Sequence, residues 1–127
     1  RQKAEERTGP NEIPRVQTLN LSYQNLGEQY QYEQLLAFLS INSGVQVLAL
    51  TDNFLTDLEG FNMPHLKELF IARNNIQTFM DLPPMPSLER LSIEENFITN
   101  LDGLNNEKYP KLQRLTLRWN PVAKDEG

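Results

Sequence analysis

Aliphatic residues return along this chain in a pattern that a single helix or hairpin does not explain. In five segments, starting at Val16, Val45, Leu66, Leu88 and Leu112, the first, fourth, sixth and eleventh residues are all aliphatic. The starts are separated by 29, 21, 22 and 24 residues. Four segments carry asparagine at the ninth place, as Asn53, Asn74, Asn96 and Asn120, and the first carries Gln24. Such self-similarity marks a stack of structural repeats, each of which can bury its apolar face only against its neighbours.

Local geometry follows from the spacing. Alternate residues of a strand point the same way, so the fourth and sixth positions turn inward and the residues between them turn out. Stacked, these short strands make a parallel sheet on a concave side. The ninth-position asparagine sits where the chain leaves the strand, and its amide can bond backbone groups of adjacent repeats. Gln24 is longer and fits such a ladder less well, so the first repeat is expected to be irregular there. Leu58, Phe79 and Leu101 recur three residues after the eleventh position, followed three later by Phe61, Leu82 and Leu104, so each returning segment is expected to bury apolar residues. Met63-Pro64 and Leu82-Pro83-Pro84-Met85-Pro86 exclude regular helix there. Pro83–Pro86 could also serve as a proline-rich ligand, but Leu82 and Met85 are needed by the core.

The long first repeat has room for one α-helix over Glu28–Asn42, with Tyr32, Leu35, Leu36 and Leu39 on one face and Gly44 as the stop. That face is expected to pack on its own solenoid. The expected fold class is α/β: a solenoid of five repeats with a concave parallel sheet, this one helix, and mostly irregular or short helical convex segments. Residues 1–15 read as a linker or N-terminal edge, with Thr8-Gly9-Pro10-Asn11 as a break and Ile13-Pro14 covering the first coil. Residues 16–127 form the repeat domain. Nothing after Val122 is apolar beyond the small Ala123, so no C-terminal cap is expected, and the parent chain is expected to continue.

These residues resemble the leucine-rich repeat family, and its short branch with a period of about 22 residues. That branch includes phosphatase-regulatory subunits, a spliceosomal leucine-rich subunit, acidic nuclear phosphoproteins and an axonemal dynein light chain. Leu117-Arg118-Trp119-Asn120-Pro121-Val122 is similar to the closing repeat of the branch. The resemblance spans Val16–Val122 and implies a non-catalytic protein-interaction module within a larger intracellular scaffold or regulatory protein. It leaves two alternatives: a ribonucleoprotein subunit that clasps an RNA-binding protein, and a cytoskeletal or ciliary dynein-associated adaptor.

Composition narrows the choice. The chain has no cysteine, which removes disulfide frameworks and thiolate metal sites and favours a cytoplasmic, cytoskeletal or nuclear origin. Net charge is −5, with the acidic excess beyond residue 15, which argues against direct nucleic-acid binding. Leu35–Leu39 is the longest apolar run, too short to span a membrane. The sequon Asn20-Leu21-Ser22 is expected inside a strand and reads as a chance match. No cofactor is implied. His65 stands without a second histidine or a cysteine, and Glu94-Glu95 point opposite ways if they lie on a strand, so neither suggests a metal or catalytic centre. No phosphate-binding glycine loop is present, and an enzyme is not expected.

The expected partner surface uses positions that the framework does not need: Val47, Ala49, Phe70, Ala72, Arg73, Arg90, Ser92, Glu94, Arg114, Arg118 and Trp119. Phe70 falls at the centre, between the small residues Ala49 and Ser92, where a large aromatic has reason to be a binding anchor. For Arg90, Arg114 and Arg118 two readings stand. They grip a carboxylate-bearing or aromatic partner segment, or they form an internal salt-bridge lattice with Glu94 and Glu95. The domain is expected to act as a monomer toward a protein partner.

Overall fold

The computed structural model describes residues 18–42 and 44–124. The readings placed on residues 1–17, including Ile13-Pro14, lie outside the described residues. Five three-residue strands form one parallel sheet in chain order: β1 (Thr18–Asn20), β2 (Val47–Ala49), β3 (Glu68–Phe70), β4 (Arg90–Ser92) and β5 (Arg114–Thr116). Leu19, Leu48, Leu69, Leu91 and Leu115 align across it as successive Cα partners. The result is a solenoid in which each coil supplies one strand.

Its interior is columnar. Leu21, Leu50, Ile71 and Ile93 form a second buried column, and Leu26, Leu55, Ile76 and Ile98 a third. In the last coil Leu112, Leu115, Leu117 and Val122 are half-buried. Another column, of which only Met85 was read from the sequence, stands three residues before each later strand segment: Asn42, Met63, Met85 and Tyr109 are all buried. Their carbonyls accept the amides of Val45, Leu66, Leu88 and Leu112 at 3.2–3.3 Å, closing one turn as each coil re-enters the sheet.

The ladder forms as its residue type dictates. Asn74 accepts from the amides of Asn53 and Leu55 and donates to the carbonyls of Leu50, Ile71 and Ala72. Asn53, Asn96 and Asn120 repeat the arrangement, each reaching back to the coil before its own. A buried amide side chain is stable only when so satisfied. Gln24 is exposed, and only its backbone amide joins, donating to Asn53.

Helix α1 (Gln29–Ile41) lies after the first repeat and buries Leu35 and Leu39 on the solenoid, with Tyr32, Leu36 and Phe38 packed at their margin. Glu28 caps its start by accepting from the Gln31 amide at 3.0 Å. Its stop is Asn42 rather than Gly44: backbone and side-chain nitrogens of Asn42 both donate to the Phe38 carbonyl. Tyr32 donates its hydroxyl to the Glu59 carbonyl at 2.7 Å and stacks on Phe61. Gly60 faces Leu36 of the helix and takes a φ of 90°, a backbone region that favours glycine.

The convex side is mostly irregular, with one 3₁₀ turn at Phe79–Asp81 before the proline stretch. Leu58, Phe79, Phe61 and Leu82 are buried as expected, but Leu101 is 47% exposed and Leu104 half-buried. Leu101 is the last of its column among the described residues. A short helix, α2 (Pro121–Lys124), begins straight after the last ladder residue. Sequence reasoning did not foresee it, although proline suits a first helical position. The sequon lies only partly in a strand: its Asn20 is the last residue of β1, exposed and accepting from the Ser22 amide, while Leu21 and Ser22 lie beyond it.

Candidate functional site

Strand alternation presents two outward rows on the concave face. Thr18, Val47, Glu68, Arg90 and Arg114 make one, and Asn20, Ala49, Phe70, Ser92 and Thr116 the other. Phe70 stands third of five, with Ala49 and Ser92 as its register partners. It is half-buried, and the Arg90 guanidinium lies over its ring, 5.3 Å from the centroid. Glu68, the register partner of Arg90, makes no ion pair with it, so the aromatic face holds the cation instead. Ser92 is on this face but nearly covered, because its small side chain lies low beside Phe70 and donates its hydroxyl to the Glu94 carboxylate.

Beyond the strands the chain turns sharply. The eighth residue of every repeat, Tyr23, Asp52, Arg73, Glu95 and Trp119, adopts φ between 56° and 62°. None is glycine, and left-handed backbone costs such residues roughly 1–2 kcal/mol each. In the last four repeats the asparagine that follows is locked by its ladder bonds, which hold the turn in place. These five side chains consequently form a regular rim along one edge of the sheet. Arg73 is tied into it: its guanidinium bonds Asp52 at 2.6 Å and the Tyr23 hydroxyl at 3.1 Å, linking three coils. Asp52 holds the Arg73 pKa above its ordinary value, through the hydrogen bond first and charge second. Arg73, one of the expected partner contacts, is engaged within the chain while its side chain stays 46% exposed. Glu94 and Glu95 lie past β4 rather than on it, with Glu94 beside Ser92 and Glu95 on the rim.

Val47, Ala49 and Ala72 are half-buried around Phe70. Farther along the solenoid, Arg90 and Arg114 are Cα partners on neighbouring strands, and Arg118 lies over the Trp119 ring at 5.0 Å. The salt-bridge lattice is not formed: among the described residues the sole ion pair is Arg73–Asp52.

Two aromatic residues escaped the sequence reading. Phe54 and Phe97, one place after the ladder asparagine, are 61% and 51% exposed. With Tyr23 and Trp119 they give the rim an aromatic margin, and Phe97, Trp119, Pro121 and Ala123 wall a recess of about 670 Å³ that reaches Arg118. The signal was available, since the tenth position belongs to no buried column. On the convex side a cleft of about 480 Å³ lies between α1 and the second coil, bordered by Glu33, Asp57 and Glu59. His65 is exposed, and among the described residues no three metal-ligating side chains converge. No helix among them is long and apolar enough to cross a membrane.

The chain is similar to Leucine-rich repeat-containing protein 56 of Mus musculus, at 34% identity over 116 residues, and of Homo sapiens, at 33%. It is also similar to Toll-like receptor 2 type-2 of Gallus gallus, at 31% identity over 98 residues. These matches cover 87%, 87% and 77% of this chain. The chain spans about one fifth of the length of the first two relatives and 12% of the third. No protein-family model matches it, and no solved structure does.

Proposed function

Because the chain belongs to the leucine-rich repeat family, a family of interaction modules, we propose that it binds a protein segment across its concave sheet and catalyses no reaction. The observation that carries this reading is Phe70. An aromatic side chain at the middle of a five-stranded sheet, ringed by Val47, Ala49 and Ala72, offers a central apolar anchor within a polar surround. Trp119 and the arginines of β4 and β5 extend the same surface.

The absence of cysteine and the acidic body support an intracellular setting, within a larger scaffold or regulatory protein. The interaction reading covers the splicing-type and dynein-associated alternatives, which differ from it in the partner. Affinity capture with the chain as bait, run beside a Phe70→Ala bait, tests the proposal. A partner held by the first and lost by the second supports it; a partner held equally by both counts against the site.

A further inference from the structure

The concave sheet is unevenly charged. Its first two strands present no charged side chain outward, while the last two present Arg90 and Arg114, with Arg118 just beyond. Arg90 and Arg114 leave neighbouring strands at the same register position, and like charges so placed disfavour the sheet. A cluster that opposes folding calls for a counter-charge, yet among the described residues no carboxylate lies within 4.0 Å of any of the three. Carboxylates are close by in the chain, but Glu94 takes the Ser92 hydroxyl and Glu95 stands on the rim. Arg90 and Arg118 rest over aromatic rings instead. A guanidinium over a ring keeps its in-plane N–H donors for a bidentate acceptor. The body around this cluster is acidic, with fourteen acidic and eight basic residues after position 15, so the arginines form a local exception rather than a general basic surface.

Beside them lies the recess walled by Phe97, Trp119 and Pro121, which Arg118 borders. We propose that this half of the concave sheet receives an acidic polypeptide segment that carries an apolar residue beside its carboxylates. The carboxylates meet Arg90, Arg114 and Arg118, and the apolar side chain enters the recess. The proposal rests on the concave-face reading above and narrows its partner class. A nucleic acid suits the site less well, because Glu68, Glu94 and Glu95 flank the cluster and would repel a continuous phosphate chain.

Trp119 is the sole tryptophan of the chain and is 66% exposed, so its emission reports on the recess directly. The probes are a short peptide of glutamates around a Leu-Leu pair, the same peptide with glutamine for every glutamate, the same peptide with serine for both leucines, and an oligodeoxynucleotide of equal length. The acidic peptide binds at least about tenfold more tightly than its glutamine counterpart, and the gap narrows as salt is raised. The leucine-to-serine peptide loses the emission shift. Arg90→Gln with Arg114→Gln abolishes the gap without lowering thermal stability. Equal binding of the glutamine peptide, no binding of the acidic one, or tighter binding of the oligonucleotide overturns the proposal. The two readings separate on the captured partner: if only the acidic class is wrong, Phe70→Ala releases it and the arginine variant does not. If the concave face itself is wrong, neither substitution does.

Discussion

Asn74 accepts the backbone N–H of Asn53 at 2.9 Å, so one ladder residue satisfies the main chain of the ladder residue before it. The link runs in one direction along the solenoid, and each coil depends on the next to close its buried amides.

Removing a link therefore exposes a loss that grows with the number of groups left unpaired. Asn74→Ala strands two amides and releases three carbonyls, at a cost of about 3 kcal/mol. Asn120→Ala, with one amide and two carbonyls involved, costs less. Urea midpoints at unchanged slope measure both. Equal costs would show that the ladder is not additive along the stack.

The leucine column supplies a second gradient. Leu69→Ala, in a fully buried site between two coils, is expected to cost about 2–5 kcal/mol. Leu115→Ala, in the half-buried last strand, costs clearly less. The same unfolding series reads the difference.

Gly27 fixes how closely the first two coils approach. A β-carbon there would stand 2.1 Å from the Phe54 carbonyl oxygen, which is backbone and cannot turn aside. Gly27→Ala destabilises the chain by several kcal/mol on the order of an overpacked core, and calorimetric melting reads it as a lowered transition temperature.

Two tyrosines set the alkaline limit. Burial pushes the hydroxyls of Tyr32 and Tyr109 well above their ordinary value, and Asp57 and Glu59 add to the effect at Tyr32. Above a pH of about 10 the unfolded chain releases these protons first, so stability falls as pH rises past that point and is untouched below it. Their substitutions diverge. Tyr32→Phe loses the bond to the Glu59 carbonyl and costs about 1 kcal/mol. The buried Tyr109 hydroxyl has no partner among the described residues, so Tyr109→Phe is neutral or stabilising. Denaturant midpoints from pH 8 to 11 check both halves of this expectation.

The sheet was legible in the sequence because a solenoid core is one-dimensional. Leu19, Leu48, Leu69, Leu91 and Leu115 touch in space in the order in which they recur along the chain, so their period is their register. The asparagine ladder was legible for the same reason. Side-chain choices made across the face were not. Whether Arg90 turns to Glu68 or to Phe70, and whether Ser92 stands free or sinks beside its neighbour, depends on rotamers that spacing does not encode. Leu101 and Phe97 show the limit at the other surfaces. One occupies a core column and is exposed, while the other is an aromatic just past the ladder asparagine that stays half exposed.

The most direct test compares one substitution on each side of the solenoid. With the captured partner, titration calorimetry is run on the unaltered chain, on Phe70→Ala, and on Met80→Ala at an exposed convex position. The concave-face account requires at least about tenfold weaker binding for Phe70→Ala and unchanged binding for Met80→Ala. Undiminished affinity in Phe70→Ala, with loss in Met80→Ala, would contradict it.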